Sequence, residues 1–456
     1  MTRNLQSMLR APEGGEDVSL LGFTPDGDIE LPDDFEWLDY TIFLLHVAAE
    51  IEHSLMVQYL YAAYSIGGPD LSDADREKAR VWREIVLGIA KEEMAHLITV
   101  QNLLRAIGGP LHLEREDYPY RSEFYPFHFR LERLTKDSLA KYVYAEAPEE
   151  WEVSSTSEEI RQRAHAAEGA GINRVGKLYK ALEKIFAAPD RIPDAQFLAA
   201  TVPYQAGTDE WARGYEHGQR GNQSQQNPTG TPHLFIDRVG NRAQALSAIR
   251  QIARQGEAPD DDQQPDSHFA RFLAIYREVD ENLPPSRPLP RDPTTNAVDA
   301  NNRAVITNPS AIRWCQLFDL RYRMLLFRLK HAFSVRAREA TDQPTDRGQL
   351  IAWTFGEMYN LRAIAGIIIQ LPMTVGGTDV AGPPFEMPYT ISLPDWDSDK
   401  WRAHRAQLAN SKKLTTAMLQ SGEAQSDYLR ALENNDALAG QVIDVLMQRA
   451  LQEERP

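Results

Sequence analysis

Two acids and one histidine lie on the apolar stripes of two predicted helices, at a spacing that suits metal ligands. Glu93 and His96 are three residues apart, so both side chains point to the same side of their helix. Glu52 lies in the middle of the apolar stripe of the preceding helix. A buried carboxylate without a partner is costly, and Glu-x-x-His is the arrangement of carboxylate-bridged metal bundles. These three residues predict a metal site between the two helices.

Neighbouring acids offer alternatives to this ligand set. Glu50 and His53 form a second Glu-x-x-His pair, but they face away from the Glu52 stripe. We interpret them as outer partners of the site or as surface residues, and they are rivals to Glu52. Glu92, directly before Glu93, is similarly ambiguous. The bland alternative for all of them is a solvated helix face with ordinary salt bridges.

The predicted donor set consists of carboxylates and imidazoles, without a cluster of thiolates. Such donors suit iron, manganese or zinc. Two carboxylate-bridged irons can activate O₂, whereas zinc would supply only Lewis-acid or hydrolytic chemistry. Tyr59 lies two turns after Glu52 on the same stripe. It is our candidate catalytic residue, as a hydrogen-bond donor to a ligand or as a radical relay, and the alternative is a plain aromatic core residue.

Two long Pro-free segments, 43–66 and 81–108, carry these residues and show apolar residues at helical spacing. The turn between them is short and offers Ser72 or Asp73 as an N-cap. Glycines after residue 107 end the second helix. We therefore expect the two helices to be antiparallel neighbours.

Two later segments, 309–338 and 348–370, also read as long helices. Four long helices in two pairs predict an all-α four-helix bundle with an elaborate crossover. The expected domains are an irregular arm over 1–39, a bundle domain over 40–390 with an insertion at about 111–308, and a helical C-terminal extension over 391–456. Shorter helices are predicted at 136–147, 158–168, 173–187 and 241–254. The polar region 200–235, punctuated by glycine and proline, should be the least ordered part near the site.

Composition narrows the function classes. The net charge of −17 and the pI near 5.2 argue against nucleic acid and anionic membranes as partners. The most apolar stretch is too short to cross a membrane, and the N-terminus lacks the apolar core of a signal peptide. The single cysteine, Cys315, fits a reducing compartment and a buried thiol. We expect a cytoplasmic protein.

Four stretches together resemble one known family. They are AAEIEHSLMVQYLYAAYSI, KEEMAHLITVQNLLRAIGG, AQALSAIRQIARQGEA with SHFARF, and AGPPFE, in that order, from about 40 to 390. They are similar to the ferritin-like family that includes the iminophenyl-pyruvate dimer synthase of violacein biosynthesis. The third stretch departs from the family pattern, because Ala258 stands where the family favours glycine.

The resemblance implies a ferritin-like fold and a carboxylate–histidine metal centre, for which we expect two iron ions. The ligands that it implies are Glu52, Glu93, His96, Glu257 and His268, with Glu146 as a weaker sixth. The alternative for Glu146 is a water-exposed acid at a helix end. Asp319 and Glu357, on the two later helices, form the rival set that an ordinary bundle would use. Asp319 also has Arg321 or Arg323 as a structural partner.

Three functions remain open at this level. The first is an O₂-using, metal-dependent oxidoreductase that acts on a small, amino-acid-derived metabolite in bacterial secondary metabolism. The second is an imine or oxidative-coupling enzyme of the dimer-synthase type, with haem as a further cofactor to consider. The third is a non-enzymatic iron-binding or structural bundle. The partners expected are a small-molecule substrate and O₂, and a homodimer is the assembly considered.

Overall fold

A computed structural model describes most of the chain. The described residues are 28–68, 71–122, 124–148, 151, 154–168, 172–211, 223, 227, 229–257, 267–279, 286–298, 302–337 and 345–454. Their contacts divide the chain into an N-terminal unit, Met1–Pro288, and a C-terminal unit, Leu289–Pro456. Within the described part, no helix has the length and apolarity that a membrane crossing requires.

The described N-terminal unit is helical. Its helices are α1 Trp37–Ser65, α2 Asp73–Ala106, α3 Lys136–Ala145, α4 Ser155–Glu168, α5 Gly176–Ala187, α6 Thr208–Trp211, α7 Arg242–Glu257 and α8 His268–Glu278. Two 3₁₀ turns, Asp194–Gln196 and Ala199–Tyr204, follow α5. The predicted helices are therefore present, with ends that move by a few residues.

Helices α1 and α2 pack against each other along their length as a hairpin. Helix α1 is buried on nearly all sides, because apolar residues surround it. The Ser72 hydroxyl caps α2 by accepting the N–H of Asp75 at 3.2 Å. Gly108, at φ +81°, ends α2, and the Gly109 N–H reaches back to the Leu104 carbonyl at 2.8 Å. The turn and the stop signals predicted for this pair are both found.

Two short helices complete the layer next to this hairpin. Helix α3 packs on α8, and α8 also contacts α2. Thr135 and Ser138 form a capping box that starts α3, and Ser267 caps α8 by accepting the N–H of Ala270 at 3.1 Å. Helices α5 and α7 pack together, α5 against α1 and α7 against α2 and α8.

The described part of the C-terminal unit contains four helices. They are α9 Pro309–Ser334, α10 Asp346–Ile368, α11 Asp397–Gln420 and α12 Ser426–Glu453. Helix α9 packs on α10 and α11, and α11 packs on α12. A parallel pair of two-residue strands, β1 Pro293–Thr294 and β2 Ala304–Val305, precedes them.

The division of the chain differs from the expected bundle over 40–390. Helices α9 and α10, which we expected to complete the bundle, pack with the C-terminal helices instead. The partners of the α1–α2 hairpin come from the segment that we expected to be an insertion. We had assigned α9 and α10 to the bundle because they are long. The candidate ligands Glu146 and His268 lie instead at the ends of the short helices α3 and α8. Much of the 200–235 region lies outside the described residues.

Candidate metal centre

Five potential ligands converge inside the N-terminal unit from four helices. Glu52 lies in the middle of α1, and Glu93 and His96 lie one turn apart in the middle of α2. The other two come from helix ends. Glu146 is the C-cap of α3, and His268 is the first residue of α8, directly after its N-cap.

Glu93 stands between the two histidines. Its Oε2 lies 2.8 Å from Nδ1 of His96, and its Oε1 lies 3.1 Å from Nδ1 of His268. Glu52 Oε2 approaches the same His96 nitrogen at 3.4 Å, and Glu146 Oε2 lies 3.8 Å from Nδ1 of His268. Glu93, His96 and His268 each present a ligand atom within 4.8 Å of the others.

The donors thus form two half-sites that share one carboxylate. We call them the His96 position, with ligands His96, Glu52 and Glu93, and the His268 position, with ligands His268, Glu146 and Glu93. Each position has one imidazole, one carboxylate of its own and one oxygen of Glu93. This is the donor pattern of carboxylate-bridged two-metal sites in helical bundles.

The five groups are at most 2% exposed. Three buried atoms, Glu52 Oε2, Glu93 Oε1 and His268 Nδ1, make no hydrogen bond of acceptable geometry. Two of them are only 3.1 Å apart, so they meet at an angle that suits no hydrogen bond. Buried polar atoms are rarely left in this state. A cation beside Glu93 Oε1 and His268 Nδ1 would satisfy two of them at once, so the residues fit a metal.

The electrostatics of the cluster point the same way. Burial, with help from the Glu93 carboxylate, raises the pKa of Glu52 to about 7. Burial opposes a charge on His96, but Glu52 and Glu93 outweigh it and raise its pKa to about 10. Burial and Glu93 also raise the pKa of Glu146. Protons on the histidines therefore balance part of the negative charge, and metal binding would displace them.

Four of the five candidate ligands also contact a polar group outside the ligand set. Tyr59 donates its hydroxyl to Glu146 Oε1 at 2.6 Å, and Tyr179 donates to Glu52 Oε1. His96 Nε2 lies 2.9 Å from Oε1 of Gln255, and His268 Nε2 lies 3.2 Å from Oε2 of Glu92. Such partners fix the orientation of metal ligands.

Glu92 is itself paired with Arg271. Burial would raise the pKa of Glu92, but Arg271 and His268 outweigh it and lower the pKa to about 2. The carboxylate behind His268 is therefore ionised.

A cavity of about 10 Å³ lies among the ligands. That is room for roughly one water-sized particle. Its walls beyond the ligands come from α1, from α5 with the residue before it, and from α7, through Leu55, Val175, Gly176, Tyr179, Ile252, Ala253 and Gly256. A side chain at position 256 would crowd the site, because a Cβ there would lie 3.2 Å from Glu146 Oε2.

The structure brings together five of the six metal candidates, namely Glu52, Glu93, His96, Glu146 and His268. Glu257 ends α7, but its side chain lies outside the described residues. Glu146 is buried, so the water-exposed alternative is wrong. Tyr59 donates a hydrogen bond to the ligand candidate Glu146 and is not among the residues that line the cavity.

The sequence analysis did not identify three residues as partners of the candidate ligands. They are Tyr179, Gln255 and Glu92, of which Glu92 was named only as an ambiguous acid. Glu92 gave a signal, since a second acid beside Glu93 on a buried helix needs its own cation. Tyr179 and Gln255 gave none, because neither stands out from the pattern of its own helix, although the helix of Gln255 also carries the candidate Glu257.

The rival residues lie elsewhere. Glu50 Oε1 lies 2.8 Å from Nε2 of His112, in a separate buried cluster. Glu357 lies in the C-terminal unit, in ion pairs with Arg321 and Arg328. Asp319 accepts the backbone N–H of Glu386 at 2.9 Å. The expected structural partner of Asp319, Arg321, pairs with Glu357 and Asp436.

Two curated proteins are similar to this chain in sequence. Dichlorochromopyrrolate synthase from Lentzea aerocolonigenes is 26% identical over 385 residues, which cover 74% of this chain and 35% of that protein. The 2-imino-3-(indol-3-yl)propanoate dimerase from Chromobacterium violaceum is 25% identical over 398 residues, covering 77% and 34%. The chain spans about a third of the length of these two curated relatives.

A crystal structure of a ferritin-like protein from Caulobacter vibrioides, at 1.95 Å resolution, covers 71% of this chain and 95% of its own, with 18% identity and a TM-score of 0.40. The sequence model of the ferritin-like family matches residues 45–277. That match spans just over half of the chain and contains all five converging ligands. The resemblance found in the sequence is confirmed, and this chain belongs to the ferritin-like family.

Proposed function

We propose that this chain is a metal-dependent oxidoreductase of small-molecule biosynthesis, with a centre for two metal ions. One observation carries the proposal. Glu93 directs one oxygen to each of two buried histidines, and each histidine has a further carboxylate beside it. We expect iron, and the same donors also accept manganese or zinc.

The His96 position would hold one ion and the His268 position the other. When bound, a pair of irons supplies the electrons for O₂ reduction, which redox-inert zinc does not. Iron is also the metal that the ferritin-like family commonly binds.

The chain's own residues orient and shield the centre. Tyr59 and Tyr179 hold the outer oxygens of Glu146 and Glu52, so that the inner oxygens face the cavity. Apolar side chains, among them Leu55 and Ile252, keep bulk water away from the ligands. An aromatic metabolite does not fit into about 10 Å³. We therefore place the substrate outside this cavity.

The names of the two curated relatives favour a reaction class, since one is a synthase and the other a dimerase of an iminopropanoate. Our second candidate is accordingly the oxidative coupling of two amino-acid-derived imines. When two carbons that each lose one hydrogen are joined, two protons and two electrons are released. O₂ can accept them and become hydrogen peroxide. Because the chain spans about a third of those relatives, the whole reaction is a proposal here.

The test uses the full chain purified without chelator. Metal analysis should find about two irons per chain, and reduced protein should consume O₂. An indolyl iminopropanoate, generated in situ from tryptophan by an amino-acid oxidase, is then added, and products are analysed by mass spectrometry. A product of twice the monomer mass minus two hydrogens supports coupling.

The other outcomes separate the candidates. Oxidised monomers without a dimer support an oxidoreductase of another kind, and haem absorbance supports a haem-dependent coupling enzyme. Protein that binds neither metal nor haem supports the structural role and contradicts the proposal. His96→Ala protein is the control, because it should lose the ion of the His96 position and, with it, O₂ consumption.

A further inference from the structure

The two histidines of the centre are backed by chemically different groups. His268 Nε2 faces a carboxylate, Glu92 Oε2, at 3.2 Å. His96 Nε2 faces a neutral amide, Gln255 Oε1, at 2.9 Å. The two positions are otherwise alike, since each has its own carboxylate that accepts one tyrosine hydroxyl. The difference behind the imidazoles is therefore the main asymmetry of the centre.

The backbone of one residue, His233, contacts both of these partners. The N–H of His233 donates to Glu92 Oε1 at 3.0 Å, and its carbonyl accepts from Gln255 Nε2 at 2.9 Å. Because the amide nitrogen of Gln255 is used by that carbonyl, its oxygen must face His96. For Nδ1 to bind an ion, the ring would keep its proton on Nε2, where the Gln255 oxygen can accept it. Glu92 selects the same tautomer in His268.

A carboxylate behind an imidazole raises the basicity of that ligand more than a neutral amide does. Arg271 is paired with Glu92 through the same carboxylate oxygen that faces His268. Resting on the metal centre proposed above, we infer that the His268 position binds its ion more tightly and fills before the His96 position. Glu92 and Gln255 are the positioning residues that set this order.

The test is a titration of the metal-free full chain with Zn²⁺, which is redox-inert, followed by calorimetry with a competing chelator. Wild-type protein should bind two ions with affinities that differ at least about tenfold, the lower end of the effect of outer partners. Glu92→Gln should weaken the tighter event by about 10- to 100-fold and leave the weaker one within about threefold. Gln255→Met should do the reverse.

Ligand variants assign the events to positions. His96→Ala should keep the tighter event and lose the weaker one, whereas His268→Ala should lose the tighter one. Circular dichroism establishes that each variant is folded. If Glu92→Gln does not fold, Gln255→Met and the two histidine variants still decide the order.

Two equal affinities in wild-type protein, or a tighter event that survives His268→Ala, would overturn this inference and leave a two-metal centre standing. A Gln255→Met effect on the tighter event alone would also overturn it. Absence of any Zn²⁺ binding would overturn the proposed function together with the inference.

Discussion

Glu93 Oε1 lies 3.1 Å from Nδ1 of His268, while the other oxygen of the same carboxylate lies 2.8 Å from Nδ1 of His96. One side chain on α2 thereby joins a ligand from its own helix with a ligand from α8. Loss of this carboxylate should affect both metal positions, whereas loss of a terminal carboxylate should affect one.

We therefore expect Glu93→Gln protein to retain close to no metal, and Glu52→Gln or Glu146→Gln protein to retain about one ion per chain. Each position loses an anionic ligand in the first variant, and only one position does in the others. Elemental analysis of protein purified in parallel measures this.

Glu357→Gln is the control from the rival set. It should keep the full metal content, although the free energy of unfolding falls by about 3–5 kcal/mol, because Arg328 loses its buried carboxylate partner and Arg321 keeps only Asp436. Full metal in Glu93→Gln, or metal loss in Glu357→Gln, would show that the centre is misplaced.

Tyr59→Phe should keep both ions but reduce the free energy of unfolding of the metal-free protein by about 1–3 kcal/mol. The ring stays in place, while buried Glu146 loses the hydroxyl that donates to it at 2.6 Å. Urea unfolding and metal analysis measure the two effects.

Tyr179→Phe is the matched comparison, since Tyr179 has the same relation to Glu52. A catalytic role of Tyr59 predicts that turnover falls further in Tyr59→Phe than in Tyr179→Phe at equal metal content. Equal turnover in the two variants would show that Tyr59 only positions Glu146.

The C-terminal unit should lose stability in mild acid. Burial, with a contribution from Lys400, lowers the pKa of His331 to about 3. An unfolded histidine titrates near about 6.5. The unfolded chain therefore binds more protons below that pH, and this contribution to stability is lost as the pH falls from about 6.5 toward 3. For His331 we expect a loss of about 2 kcal/mol between pH 7 and pH 5.

Urea unfolding of the wild type and of His331→Gln at both pH values tests this. His331 Nδ1 lies 2.9 Å from Nε2 of His404, and Gln at 331 can still hydrogen bond there without titrating. The pH-dependent loss should shrink in the variant, and the comparison at pH 7 isolates the effect of the substitution itself. An unchanged loss would place the acid sensitivity elsewhere.

Gly88→Ala should destabilise the N-terminal unit. A Cβ there would lie 1.9 Å from Oε1 of Gln223, which accepts from Arg271 at 2.9 Å. Displacement of Gln223 disturbs the partner of Glu92. We expect a loss of about 1–3 kcal/mol, less the gain of up to about 1 kcal/mol in helix propensity.

Gly366→Ala in α10 is the control for propensity, because a Cβ at that position meets no atom within 4 Å. It should be neutral or stabilising by up to about 1 kcal/mol. Thermal unfolding of the two variants is the measurement, and equal shifts in both would contradict the steric argument.

The sequence was sufficient for the α1–α2 hairpin and for the ligands inside it. Glu52, Glu93 and His96 lie in the middle of long helices, where a period of 3.6 residues fixes which side chains share a face. An acid on an apolar face then stands out from the pattern. The Ser72 cap and the glycines after α2 were visible for the same local reason.

Tertiary structure decided the rest of the centre. Glu146 and His268 lie at helix ends, where periodicity gives no direction, and the family resemblance alone implied them. The contacts of α3 with Tyr59 of α1, and of α8 with α2, join segments that are far apart in the chain. The sequence pattern of neither helix singles out the outer partners Tyr179 and Gln255. Only packing brings their polar ends to Glu52 and His96, because a hydrogen bond between distant elements leaves no mark in the local sequence.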